Sequence, residues 1–247
     1  MSLIAILGAT GTIGSALSRR LARQRHHVLL VGRNEGKLRS LAEELGQPYV
    51  AVDLTNSQPL EAALYATTDA HGGIHALVNC IGSILLKPAH ATTDDEFRQV
   101  VQTNLFTAFA TVRVGAKLLR ERGGVIVLLA SAAAEIGIQN HEAIAAAKAG
   151  VIGLARSAAA TYAPRNIRVN VVSPGLIRTE MTRRIWENET NATASAQLHA
   201  LGRLGEPEQV ASLVEWLLDE ENDWITGQVI GIDGGLGHVL PRRYTSR

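Results

Sequence analysis

A chain of 247 residues is long enough to bury a full core and falls in the range that α/β proteins fill as one domain. Its 46% hydrophobic and 19% charged residues exclude a disordered chain, and a formal net charge of +1 leaves no field to draw it toward nucleic acid or a membrane surface. Glycine is abundant at 23 residues, which points to tight strand-to-helix turns and close backbone approach to a ligand. The one cysteine, Cys80, has no partner for an intrachain disulfide and no metal-ligand cluster around it, so it reads as a small buried residue. No run reads as a membrane span, and the N-terminus enters a strand without a basic leader, so the expected location is the cytoplasm. The triplets at Asn188 and Asn191 that match a glycosylation pattern are then chance matches.

Short apolar runs alternate with helical patterns along the chain. Strands are expected at residues 3–7, 27–31, 48–52, 76–80, 125–129, 168–172 and 229–232. Helices are expected between them, at residues 15–25, 37–45, 94–120, 142–161 and 207–218. The strand runs are mostly solid rather than alternating, as expected where both faces are covered. The pattern predicts an α/β fold: a three-layer, Rossmann-type, doubly wound parallel sheet forming a single domain over residues 1–247. A more polar stretch at residues 176–204 breaks the rhythm just after a strand. Ligands of open α/β sheets sit beyond the carboxyl ends of the strands, so this stretch is either a substrate lid or a surface helical hairpin.

The first strand runs into Gly8-Ala9-Thr10-Gly11-Thr12-Ile13-Gly14 and then a helix. Glycines in that place allow a tight turn, let backbone N–H groups approach a pyrophosphate and set a helix N-terminus against its charge. Gly8, Thr10, Gly11, Ile13 and Gly14 are therefore candidate cofactor residues. The second strand is followed by Gly32-Arg33-Asn34, with no acid before Glu35. An acid there suits the ribose 2′-hydroxyl of NAD, whereas an arginine suits a 2′-phosphate through paired hydrogen bonds. Arg33 thus favours NADP(H).

Further motifs arrive in an ordered series: Val52-Asp53-Leu54, Asn79-Cys80-Ile81-Gly82, Thr103-Asn104-Leu105, Ser131, Lys148-Ala149-Gly150, Ser173-Pro174-Gly175 with Ile177 and Thr179, Ile225-Thr226-Gly227-Gln228 and Asp233-Gly234-Gly235. Over about residues 2–235 the chain resembles the short-chain dehydrogenase/reductase family. The resemblance implies that Asp53 and Leu54 meet the adenine, that Asn79 and Gly82 line the cofactor, and that Asn104, Ser131 and Lys148 are catalytic. Lys148 would also hold the cofactor, and Pro174, Gly175, Ile177 and Thr179 would hold its nicotinamide end. It also implies a small-molecule substrate and a homodimer or homotetramer built on the helices at residues 94–120 and 142–161. The loop departs slightly, because Thr12 stands where most small members have their middle glycine.

The larger departure is a missing tyrosine. The family's proton donor lies thirteen residues after the serine and four before the lysine, and that position is Ile144. Tyr49, Tyr65, Tyr162 and Tyr244 lie elsewhere and read as structural. Hydride transfer to a carbonyl builds charge on oxygen, and general acid assistance contributes about 10²–10⁴-fold. His141 precedes Lys148 by seven residues, about two helical turns, and is the candidate substitute. Asn140 reads as the N-cap, which would put His141 in the first turn with Glu142 near enough to pair. Three functions compete: an NADP(H)-dependent oxidoreductase of a carbonyl, enone or imine with a non-standard donor; a non-catalytic NADP(H)-binding regulator or the inactive subunit of a hetero-oligomer with an active paralogue; and a ligand-free structural domain. The tail at residues 236–247 ends in a basic run that either covers a neighbour or frays.

Overall fold

The computed structural model of the chain describes residues 3–71 and 73–240. Seven parallel strands stand in the order β3-β2-β1-β4-β5-β6-β7. They are β1 (Leu3–Leu7), β2 (His27–Gly32), β3 (Tyr49–Ala51), β4 (Ile74–Asn79), β5 (Gly124–Leu129), β6 (Ile167–Pro174) and β7 (Val229–Ile232). The register pairs Leu7 with Val31 on one side of β1 and with Asn79 on the other. Strand order reverses between β1 and β4, and a crevice opens beyond their carboxyl ends.

All five residues of β1 are buried, as are the last five of β2 and of β5, so the sheet is covered on both faces. One face packs α3 (Ser57–His71), α5 (Thr107–Leu118) and α6 (Glu142–Tyr162) around Leu60, Leu64, Leu77, Val114 and Val151. The other packs α1 (Thr12–Arg23), α2 (Glu35–Leu45) and α9 (Pro207–Leu218) around Leu17, Leu21, Leu38, Val210 and Val214. These are the three layers expected from the apolar runs.

Several boundaries differ from the sequence reading for local reasons. The first helix begins at Thr12 and stops at Arg23, because Arg25 takes a left-handed φ of 65°. Helix α3 was not read. It carries Pro59 in its opening turn, where proline costs no hydrogen bond. The long helix expected at residues 94–120 is broken into α4 (Asp94–Val101), a π turn (Gln102–Phe106) and α5. Asn104 causes the break: its Nδ2 donates to the Val100 carbonyl at 2.9 Å, entering the helical ladder with its side chain. Among the described residues one helical stretch, Glu142–Arg165, is long and apolar enough to cross a membrane, contrary to the sequence reading. It is about half buried and packs against β6 and α5, as a central core helix does. Residues 241–247, including Tyr244 and the basic end of the tail, lie outside the described residues.

Candidate active site

A cleft of about 760 Å³ opens at the carboxyl edge of the sheet and is lined by many of the motif residues, whereas Gly8, Gly14, Arg33, Asp53, Leu54 and Asn79 do not line it. Thr10, Gly11, Thr12 and Ile13 line one end; Gly82, Asn104, Ser131, His141, Ile144 and Lys148 line the middle; Pro174 to Ile177 and Thr179 line the far wall.

The glycine-loop end is shaped by backbone. Gly8 has a φ of 82°, and a Cβ on Gly14 would stand 2.3 Å from the Gly8 carbonyl oxygen, so the loop closes only with glycine at both positions. Gly11 caps α1 without any side-chain hydrogen bond, and the first turn carries no acid. By contrast α2 and α4 are capped by the Asn34 and Thr93 side chains. The N–H groups at the start of α1 therefore remain for an outside acceptor, and the pyrophosphate of a dinucleotide fits that need. Arg33 is exposed just past β2 and, among the described residues, holds no hydrogen bond or ion pair. Asp53 accepts from the Thr55 N–H at 3.0 Å and its hydroxyl at 2.9 Å. Those two bonds, with the Arg33 guanidinium nearby, hold its carboxyl below the usual range.

In the middle of the cleft the side chains interlock. Lys148 is 6% exposed, and its Nζ donates to the Leu129 carbonyl at 2.7 Å. Burial brings its ammonium down to about 8. Asn104, 1% exposed, donates to Ser83 Oγ at 2.9 Å and accepts from the Ser83 N–H at 3.1 Å. A Cβ on Gly82 would lie 3.3 Å from Asn104 Oδ1 and 3.7 Å from Lys148 Nζ, which shows how closely these groups meet around that glycine. Ser131 follows β5, and its Oγ accepts from the Ala133 N–H at 3.2 Å. Asn79 sits apart from the others. It ties β4 to α5 through Thr111 Oγ1 at 2.9 Å and steadies the next turn by accepting from the Ile81 N–H. Cys80 lines the cleft half-buried, and its apolar surroundings push the thiol up to about 12, so it stays a thiol.

Ile144 is 5% exposed and packs with Val100, Ala143, Ala147, Leu85 and Leu105. It brings an apolar wall to the cleft, four residues before Lys148. His141 does line the cleft, with two corrections to the sequence reading. Asn140 is not the N-cap: it takes a left-handed φ of 63°, and His141 itself is the capping residue of α6. Glu142 does not pair with the ring, since its carboxylate accepts from the Ala89 N–H. His141 Nδ1 lies 2.7 Å from the Gln139 carbonyl. A carbonyl only accepts, so Nδ1 carries the hydrogen and the neutral ring's Nε2 is bare. A proton delivered from Nε2 must come from the doubly protonated ring.

The segment at residues 176–204 is both a helical hairpin and a cleft wall. Helices α7 (Arg183–Trp186) and α8 (Glu189–Leu198) turn Ile185 and Leu198 toward the cleft, with Met181 ahead of them. Thr179 anchors the base, accepting from Trp186 Nε1 at 2.9 Å and bonding Thr182. The Glu180 N–H donates to Thr12 Oγ1 at 3.2 Å, so the hairpin touches the glycine loop directly. Beneath it buried His199 accepts from the Leu176 N–H at Nε2, 3.1 Å away.

The family model described as enoyl-(acyl carrier protein) reductase matches residues 8–237. The chain belongs to the short-chain dehydrogenase/reductase family. This short-chain dehydrogenase/reductase is 33% identical to a 3-oxoacyl-(acyl-carrier-protein) reductase of Vibrio cholerae over 94% of this chain and 95% of that protein. It is also 33% identical to carbonyl reductase family member 4 of Danio rerio, over 95% and 97% of the two chains. A short-chain type dehydrogenase/reductase from Mycobacterium ulcerans superposes with a TM-score of 0.91 at 30% identity, covering 96% of this chain and 90% of that one. ElxO with NADP bound superposes with a TM-score of 0.89 at 25% identity, covering 95% and 98%.

Among the residues that the sequence did not single out are two polar ones in the cleft and one outside its lining. Ser83 and Lys37 line the cleft, and Glu135 accepts from buried Ser173 Oγ at 2.5 Å at the end of β6. Lys37 lies in the first turn of α2, beyond the Asn34 cap, where nothing in the sequence marked it. Ser83 carried no signal until Asn104 was seen to hold it.

Proposed function

We propose that this short-chain dehydrogenase/reductase is an NADP(H)-dependent reductase of a small apolar carbonyl, enone or imine compound, and that its proton donor is not a tyrosine. The observation that carries the reading is the single cleft joining the uncapped start of α1 to Ser131, Lys148 and an apolar wall. The pyrophosphate would lie on Gly11, Thr12 and Ile13, a 2′-phosphate against the free Arg33, the adenine near Asp53 and Leu54, and the ribose on Lys148. Pro174, Gly175, Ile177 and Thr179 would flank the nicotinamide. When bound, NADPH supplies the hydride. Ser131 holds the substrate oxygen, Lys148 orients the ribose, and His141 delivers a proton from Nε2 while Gln139 fixes its ring. The hairpin at residues 176–204 serves as the substrate lid, its Ile185 and Leu198 excluding water from the reacting bond.

The test begins with thermal stability. Ligand at about 100 times its dissociation constant stabilises a fold by about 2.7 kcal/mol, so NADPH should raise the melting temperature clearly and NADH little. Arg33→Asp should shift the ratio of NADPH to NADH affinity toward NADH by about tenfold to a hundredfold, the worth of charge-assisted hydrogen bonds. An unchanged ratio sinks the NADP(H) assignment. His141→Ala should cut NADPH oxidation with an enone or ketone by about tenfold or more, and equal turnover would remove His141 from the mechanism.

The apolar packing of Ile144 favours a second reading. In that reading the chain binds NADP(H) without turnover and acts as a regulator or as the inactive subunit beside an active paralogue. Tight NADPH binding, no turnover with any acceptor and co-purification of a second reductase would establish it. A monodisperse homodimer or homotetramer with steady turnover would exclude it.

A further inference from the structure

The hairpin at residues 176–204 is fastened in two places. At its root the Arg178 N–H donates to the Gly205 carbonyl at 2.9 Å, and its guanidinium pairs with Glu206 at 3.3 Å. The Leu201 N–H adds a bond to the Gly234 carbonyl at 3.0 Å. At its front, across the cleft, the Glu180 N–H donates to Thr12 Oγ1 at 3.2 Å. Among the described residues this is the one hydrogen bond between the hairpin and the chain before residue 176. A segment hinged at its root and held in front by one bond opens at little cost once that bond is lost.

Thr12 is the first residue of α1, next to the uncapped Gly11, so its hydroxyl stands at the helix start where a pyrophosphate fits. A threonine hydroxyl has one proton and two lone pairs. One lone pair receives the Glu180 N–H, and the proton is given to no described residue. Thr12 and Glu180 both line the cleft. The bond also draws the hairpin over the reaction end, because the next residue, Met181, reaches Gly82. A Cβ on Gly82 would lie 3.8 Å from Met181 Cε and 3.7 Å from Lys148 Nζ. A glycine at position 12 has no hydroxyl and could not make this tie.

We propose that Thr12 is a positioning residue, a latch whose single hydroxyl joins the dinucleotide site to the hairpin. The inference rests on the proposed reading of the cleft as a dinucleotide site and of the hairpin as its lid. Thr12 gives its free proton to a bound pyrophosphate and accepts the Glu180 N–H with the same oxygen. A hydroxyl that donates to an anion becomes a better acceptor, so the bond to Glu180 tightens when nucleotide is present. Coupling between two equilibria is reciprocal. The nucleotide favours the closed hairpin, and the closed hairpin retains the nucleotide by the same factor. The net worth of one hydrogen bond sets that factor at about three to ten.

The test is limited tryptic digestion of the whole protein, following by mass spectrometry the cuts after Arg183 and Arg184, which are exposed on the hairpin. Cutting tracks the open population when reclosing outpaces cleavage. Without nucleotide, Thr12→Val keeps the side-chain shape, loses the hydroxyl and should be cut about threefold faster than the unaltered protein. Thr12→Gly should behave as Thr12→Val does, and Thr12→Ser should restore the slow rate. Saturating NADPH should slow cutting of the unaltered protein and of Thr12→Ser by a further threefold to tenfold, about the worth of one hydrogen bond. It should slow Thr12→Val far less, with occupancy matched by thermal shift. A threonine that only packs would not make the cutting rate answer to nucleotide through its hydroxyl. Equal cutting of Thr12→Val and the unaltered protein without nucleotide overturns the latch, and equal slowing of the two by NADPH overturns the coupling. If Thr12→Val is cut faster while NADPH raises no melting temperature, the contact still holds the hairpin and the cofactor reading is what falls.

Discussion

The two ends of the cleft are built from different materials. At the glycine-loop end the shape is set by main chain: a positive φ at Gly8, a contact at Gly14 that admits no Cβ, and a helix start left uncapped at Gly11. At the reaction end the shape is set by side chains that bond one another, Asn104 to Ser83 and Lys148 to the Leu129 carbonyl. A backbone device is satisfied by one residue type, so it leaves a fixed mark in the sequence. A side-chain device depends on several residues at once, and each of its groups can differ while its neighbours stay in place.

The largest effect expected from that difference is a gain. Ile144→Tyr should raise turnover on a ketone by about a hundredfold, within the 10²–10⁴ that a positioned general acid contributes. The four-residue spacing to Lys148 on α6 would set the new hydroxyl beside the ammonium. Placing a larger ring among Val100, Leu85 and Leu105 should lower stability by about 1–3 kcal/mol, seen as a lower melting temperature. Unchanged turnover with intact NADPH affinity would show that the reaction end differs in more than one group.

At the other end the same kind of change can only harm. Gly14→Ala drives a Cβ to 2.3 Å from the Gly8 carbonyl oxygen, so the backbone of the loop must shift. The cost should reach the upper part of the 1–3 kcal/mol typical of overpacking, and the NADPH-dependent rise in melting temperature should vanish. A variant that keeps that rise would mean the pyrophosphate does not rest on this loop.

The same contrast explains what the sequence could disclose. The strands of a doubly wound parallel sheet and the turn glycines of the Gly8–Gly14 loop were legible because apolar runs and turn glycines are local. The π turn was not, since it arises when the Asn104 side chain enters the ladder at Val100 and reaches a serine on another segment. Asn140 looked like a cap because its residue type suits one, yet its left-handed φ passes that place to His141. The direction of His141's free nitrogen depends on the Gln139 carbonyl two residues away, a distance that spacing cannot report. Glycines in special geometry are visible one at a time, whereas Ser83 becomes visible only through its partner.

The smallest expected effect lies where the two ends meet, at Lys148. Its folded value near 8 lies below the ordinary 10.5 because burial disfavours the charged form. The sign follows for stability: between pH 8 and 10.5 the unfolded chain binds the proton that the folded one has released, so this group makes folding more favourable as pH rises through that window. Its contribution to cofactor binding runs the other way. On the proposed reading, the ammonium would give the ribose a charge-assisted hydrogen bond below pH 8 and a neutral amine an ordinary one above it, a difference of about 1 kcal/mol. NADPH affinity should therefore fall about fivefold as pH rises through 8, and Lys148→Arg, which keeps its charge throughout, should flatten that limb. If Lys148→Arg retained the full fall, the titrating group would belong to the glycine-loop end or to the nucleotide, and Lys148 would serve the reaction end alone.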